Sequence, residues 1–269
     1  MKLSFTTLSC PGWSWDKIVS EASRLGYDGI ELGGIEGELY MPKARPFLPG
    51  NISATIEQLH NNHLEVPILN PFCKFDNPDT YGKYLEEGIA VIDLACKLKA
   101  PYIRVFGNNI PDPLKAQETF ALVSQGIKAL CSYGEEKNVG VLFETHGDFQ
   151  DMDTIGPLFD LIPNPNLGIL WDMMITYKSY GNDTASFLGK ALKHIRHVHV
   201  KDAYKQEDGK YAYCRLGRGE VPIGDNLRLL KQSGYTGFIS MEWEKKWVPS
   251  LEEPETVLPE YINFVKNKI

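Results

Sequence analysis

Eight short runs of apolar, β-branched or aromatic residues alternate with longer amphipathic stretches from one end of the chain to the other, and this alternation constrains the fold more than any other feature. The runs lie at 3–8, 29–32, 66–69, 102–106, 139–143, 167–171, 195–200 and 238–243. Helices are expected near 15–25, 52–62, 81–99, 115–138, 154–161, 184–193, 226–233 and 255–268. Asp16, after Ser14 and Trp15, opens the first helix, and Gly26 closes it, as N-cap and C′ chemistry require. Alternating strands and helices imply a parallel sheet, open or closed. Eight such units in 269 residues favour closure, because a barrel of this kind takes about 250 residues. The expectation is an α/β chain forming one (β/α)8 TIM barrel domain over 1–269. No G-x-G-x-x-G follows the first run and no Walker sequence occurs, so the open nucleotide-binding sheets lose their usual support. Loops at 33–51 and 202–222 are candidate lids.

Gly-Tyr-x-Gly occurs twice, at Gly26-Tyr27-Asp28-Gly29 and Gly234-Tyr235-Thr236-Gly237. It reads as a helix-to-strand turn more readily than as an internal repeat.

Composition narrows the function classes. With 43% hydrophobic and 23% charged residues, a sizeable core is expected. A formal charge of -7 disfavours a phosphate backbone, so no nucleic acid partner is expected. No stretch approaches the roughly 20 apolar residues of a membrane span, and no membrane partner is expected. The five cysteines are scattered without a CxxC pair. They read as reduced packing residues of a cytoplasmic protein, and the early Pro11-Gly12 break argues against a secretory signal.

The last four runs each end in a potential metal ligand: Phe143-Glu144, Trp171-Asp172, His197-Val198-His199-Val200 and Met241-Glu242. Strand ends converge on one rim of a barrel, so Glu144, Asp172, His199 and Glu242 can meet despite their distance in sequence. Each alone reads as a loop salt bridge or, for Asp172, as a helix cap; four at consecutive strand ends form a pattern. One histidine and three carboxylates suit one divalent ion: Mn, Mg, Co or Zn. His197 and His199 project to the same side at different depths, and the one nearer the strand end, His199, is the better ligand. His197 then bonds deeper in the barrel or touches substrate. His146 is a candidate to bond a substrate hydroxyl, Arg218 to clasp a hydroxyl, carboxylate or phosphate, and Trp15, with Trp13 and Trp247, to wall a sugar face. Lys201 and Asp202 read as a strand-end salt bridge.

The strings Leu25-Gly26-Tyr27-Asp28-Gly29-Ile30-Glu31-Leu32, Phe143-Glu144-Thr145-His146-Gly147, His197-Val198-His199-Val200-Lys201-Asp202 and Gly217-Arg218-Gly219-Glu220-Val221-Pro222 resemble the xylose isomerase-like barrels. The resemblance covers nearly the whole chain. It implies metal ligation by the same four residues, with Glu144 and Glu242 also acting as a catalytic proton-transfer pair through a metal-stabilised cis-enediolate. It implies a small sugar-like substrate and, by analogy, a homo-oligomer. The endonuclease IV branch carries extra histidines after strands three, four and six, where this chain has Asn70, Asn108 and Met173-Met174-Ile175. His60 and His63 lie near the second helix, at the wrong end. The expected activity is therefore a sugar isomerase or epimerase, with an inosose dehydratase-type lyase as the alternative and a non-catalytic sugar-binding barrel behind both.

Overall fold

The computed structural model describes residues 1–268. Its strands are β1 (Lys2–Thr6), β2 (Gly29–Glu31), β3 (Tyr102–Val105), β4 (Gly140–Glu144), β5 (Leu167–Asp172), β6 (Ile195–Val200), β7 (Asp202–Lys205), β8 (Tyr211–Cys214) and β9 (Phe238–Met241). Seven of them form one all-parallel curled sheet in the order β2-β1-β9-β6-β5-β4-β3. The expected run at 66–69 forms isolated bridges instead of a strand, since Pro67 and Pro71 cannot donate to a ladder. It still joins the sheet's two edges. Glu65 accepts from Ile30 N at 2.9 Å and Asn70 N donates to Leu32 O at 2.7 Å on one side; Leu69 N donates to Tyr102 O at 3.1 Å on the other. The ring is closed by eight staves, one of them irregular.

Nine α-helices surround the sheet among the described residues: α1 (Trp15–Leu25), α2 (Ile52–Asn61), α3 (Pro78–Leu98), α4 (Ala116–Glu135), α5 (Met152–Leu161), α6 (Met173–Tyr180), α7 (Thr184–Ala191), α8 (Ile223–Gln232) and α9 (Pro254–Lys266). Ser14 caps α1 by accepting from Lys17 N, and Gly26 closes it at φ 78°, a conformation that favours glycine. Gly234 closes α8 in the same way at φ 76°. Two features depart from the sequence reading. α6 was not expected, and the stretch expected as a 202–222 loop contains the antiparallel hairpin β7–β8. None of the described helices is long and apolar enough to cross a membrane.

Strand alternation sorts the barrel interior into layers. Ile68, Leu142 and Leu170 form a small apolar cluster with Tyr102, separate from the main core between sheet and helices. Toward the C-terminal rim the inward positions turn polar: Ser4, Glu31, Arg104, His197 and Ser240, then Glu144, Asp172, His199 and Glu242. A register shift between β5 and β6 decides which way the histidines face. Ile169 pairs with Ile195, but Leu170 pairs with His197 and Asp172 with His199, so Arg196 is the extra residue of a bulge. Without it Leu170 would oppose Arg196, and both histidines would point at the helices.

Candidate active site

The four expected ligands meet. Glu144, Asp172, His199 and Glu242 are all buried, and one donor atom from each lies within 4.8 Å of every other. His199 Nδ1 has no hydrogen-bond partner and stands 3.2 Å from Glu242 Oε2 and 3.7 Å from Glu144 Oε1. Asp172 caps α6, its Oδ1 accepting from Met174 N at 2.9 Å and Ile175 N at 3.1 Å. Its Oδ2 has no hydrogen-bond partner, although Lys201 Nζ lies 2.8 Å away outside bonding geometry. The cap and the ligand readings of Asp172 thus use different oxygens.

Three further residues complete the floor without having been singled out as site residues in the sequence. Arg104 pairs with Glu144 Oε2 through Nη1 and donates from Nη2 to Pro71 O at 3.2 Å. Glu31, fully buried, accepts from His197 Nε2 at 2.7 Å through Oε2 and from His199 Nε2 at 2.8 Å through Oε1, where Asn70 also donates. Glu244 takes one of three contacts made by Lys201, at 3.1 Å, beside Glu242 at 2.6 Å and Asp172. Lys201 is therefore a salt-bridge residue, as expected, but toward the ligand carboxylates and not toward Asp202. Asp202 instead gathers the amides of Ala203, Gly217, Gly219 and Val221.

The electrostatics follow from burial and crowding. Burial pushes the Glu144 carboxyl up, but the Arg104 charge and the nearby His199 ring outweigh it and hold the group below the carboxylate range. Glu242 behaves likewise, with Lys201 and His199 prevailing over burial. Burial prevails at Asp172 and Glu244, whose carboxyls are raised. Burial holds His146 and His197 below the usual imidazole range, keeping both neutral. Five carboxylates (31, 144, 172, 242 and 244) face two permanent cations, Arg104 and Lys201. Burial disfavours a charge on His199, but the carboxylates of Glu31 and Glu242 outweigh it and raise the imidazole well above its usual range. Even with His199 counted as a third cation the five carboxylates leave a net negative charge, a state that a divalent cation relieves. A second group, Glu31 with His197 and His199, also has ligand spacing. There each carboxylate oxygen is already bonded to a ring nitrogen, so it leaves no free donor.

The floor opens into a cavity of about 290 Å³ lined in part by Arg104, Phe106, Glu144, His146, Lys201, Tyr213, Glu242 and Trp247. His146 stacks on Phe106 at 4.9 Å, and its Nδ1 has no partner. Tyr213, from β8, brings the hairpin into the wall. The other expected substrate contacts lie elsewhere. His197 is held by Glu31 below the rim and is 1% exposed. Trp15 is 2% exposed, packed edge-on against Phe47, because it starts α1 with its ring turned into the core. Trp13 donates to Glu255. Arg218 sits exposed in the turn after β8, outside the cavity lining. Of the three tryptophans only Trp247, 47% exposed, walls the cavity.

The family model described as xylose isomerase-like TIM barrel matches residues 19–268. Fructoselysine 3-epimerase of Escherichia coli O157:H7 is 22% identical over 237 residues, 82% of this chain and 82% of that protein. Among solved structures, the probable 3-DHS dehydratase AsbF of Bacillus anthracis superposes with a TM-score of 0.81 at 19% identity, covering 100% of both chains. A xylose isomerase-like TIM barrel protein of Mycobacterium smegmatis in complex with magnesium superposes with a TM-score of 0.74 at 14% identity, covering 99% of this chain and 96% of that one.

Proposed function

The chain belongs to the xylose isomerase-like TIM barrel family, and from that premise we propose that it is a metal-dependent isomerase or epimerase of a small sugar-like substrate. Glu144, Asp172, His199 and Glu242 would hold the ion, and the uncompensated buried charge and the two donor atoms without a hydrogen bond, His199 Nδ1 and Asp172 Oδ2, fit that role. A bound divalent ion (Mn, Mg, Co or Zn) supplies Lewis-acid polarisation of a substrate carbonyl and its neighbouring hydroxyl.

The chain's own residues do the rest. Glu144 and Glu242 stand on either side of His199 Nδ1 at the cavity wall. Arg104 engages Glu144 Oε2 and Lys201 engages Glu242 Oε2, and the two carboxylates so oriented would take a proton from the carbon beside the carbonyl and return one. Carboxylates held ionised this strongly are weak bases, so rate must come from fixed geometry. Arg104 and Lys201 supply the fixing, because they tie each carboxylate to a neighbouring strand. His146, neutral and facing the cavity, would bond a substrate hydroxyl. The observation that carries the reading is the pair of buried carboxylates, each paired with a cation, that face one cavity across a histidine nitrogen without a hydrogen bond. A second reading, elimination of water, is favoured by the Lys201 ammonium in the cavity wall, which can protonate a departing hydroxide.

The test incubates metal-loaded protein with ketoses, inososes and keto-acids in D2O. Deuterium entry at carbon without loss of material supports isomerisation or epimerisation, and loss of water supports elimination. Glu144→Gln and Glu242→Gln should each slow exchange by about 100-fold or more. Full turnover in both would sink the proton-transfer assignment.

A further inference from the structure

The 290 Å³ cavity over the floor does not end at its own walls. Phe72, Phe106 and His146 line it and also line a second cleft of about 630 Å³. Small-molecule sites run to about 300–1,000 Å³, so the first cavity alone has room for one monosaccharide unit, and a free monosaccharide would leave the larger space beside it unfilled. The second cleft is also built in a particular way. Its walls carry three half-buried aromatic rings from separate parts of the chain: Tyr40 in the loop after β2, Phe72 in the segment after the irregular stave, and Tyr84 on α3. Between them stand two donors, Lys74 and Lys83, and two acceptors, Glu38 and Glu87.

The partners of these charged groups show what is left over for a ligand. Glu38 Oε1 accepts from Tyr40 N at 2.8 Å and Glu87 Oε1 from Phe72 N at 3.1 Å. Each carboxylate is thereby oriented with its second oxygen unused. Among the described residues neither Lys74 nor Lys83 forms an ion pair, although the Lys83 ammonium lies over the Tyr84 ring, 5.5 Å from its centroid. An anionic ligand would gain the lysines but meet both carboxylates. A polyhydroxylated ring uses all of it, since each hydroxyl both donates and accepts, and its C–H face suits an aromatic ring.

We propose that the cleft is a binding subsite for a second sugar unit, so that the substrate is a glycoside of the keto-sugar class with its reacting unit over the metal ligands. This rests on the reading of the reaction given above. It is tested on the metal-loaded full-length protein by calorimetry with fructose and with its 4-, 5- and 6-O-glucosyl derivatives, alongside deuterium exchange on the same sugars. At least one glucosyl derivative should bind about 10-fold or more tightly than fructose. Tyr84→Ala and Tyr40→Ala, on independent elements and checked for unchanged melting, should each remove about 3- to 10-fold of that advantage. If fructose exchanges deuterium but no glucosyl derivative binds better, the subsite is refuted and the reaction stands. A sugar phosphate that outcompetes all of them and depends on Lys74 also refutes it. If nothing binds and no deuterium enters, the reading of the reaction fails, and this one with it.

Discussion

Glu31 touches neither the cavity nor the expected metal position, yet the geometry makes metal affinity depend on it. Its carboxylate accepts from His199 Nε2 at 2.8 Å, which keeps a ring proton on Nε2, so the nitrogen that gives up its proton when an ion binds is Nδ1, the atom facing Glu144 and Glu242. Carboxylate partners of ligating histidines are worth about 10- to 100-fold in metal affinity, roughly 1.4–2.8 kcal/mol. Glu31→Leu removes every acceptor at similar volume, frees the His199 tautomer and should fall at the upper end, near 100-fold. Glu31→Gln keeps one acceptor oxygen. The Asn70 amide, which donates to the oxygen facing His199, favours that placement of the Gln oxygen, so this variant should lose nearer 10-fold. Removing one of five crowded carboxylates weakens attraction for a divalent ion in the same direction. Calorimetric titration of chelator-stripped protein with Mn²⁺ at fixed pH reads both, with circular dichroism to confirm folding. Wild-type affinity in both variants, or a Gln protein that binds more weakly than the Leu protein, would refute the tautomer argument.

Arg104→Met should cost about 3–5 kcal/mol in urea unfolding of the metal-free protein, since it strands the buried Glu144 carboxylate; a loss under about 1 kcal/mol would contradict the pairing. Asp202→Ala should cost about 2–4 kcal/mol and speed hydrogen exchange at the amides of Ala203, Gly217, Gly219 and Val221, which its carboxylate holds. Gly219→Ala, whose added Cβ would strike Asp202 Oδ1, should give the same exchange pattern, and protected amides in both would remove Asp202 as the anchor of the loop. The hydrogen bonds from Arg45, with the Trp15 amide, lower the pKa of Glu36 below the carboxylate range. A depressed folded pKa adds stability above the unfolded pKa, and that stability is lost as pH falls through the folded one. The gap between wild type and Glu36→Gln should therefore be at most about 1 kcal/mol for so exposed a pair, present at neutral pH and closing in acid; a gap independent of pH would exclude Glu36 as its source.

The barrel and the convergence of Glu144, Asp172, His199 and Glu242 were legible for different reasons. Strand periodicity survives in seven of the eight runs because their β-branched and aromatic residues are buried on both faces, and it fails at 66–69 because two prolines strip donors from the ladder. The quartet was legible because each member lies at or within one residue of a strand's end, where the fold itself supplies the convergence. The substrate contacts were not. Residue type and rough position point Trp15 and Arg218 toward the site, but side-chain direction at a helix start or a hairpin turn is set by packing that a single sequence does not display.

The facing of His197 and His199 shows how close to illegible even the quartet was. Both histidines point inward only because Arg196 is bulged out of register, and nothing in Ile-Arg-His-Val-His-Val announces a bulge. Glu31 and Arg104 are the converse, present in the sequence as signals and unused. Each is a charge among apolar neighbours within a strand, Gly29-Ile30-Glu31-Leu32 and Tyr102-Ile103-Arg104-Val105. In a sheet walled by helices the outer face is closed to a charge, so such a residue must point into the barrel and find an opposite charge there. Register then names the partner: Arg104 lies opposite Leu142, and the next inward position on that strand is Glu144. A mid-strand arginine was thus evidence for the ionised state of a glutamate forty residues later, independent of any resemblance to known barrels.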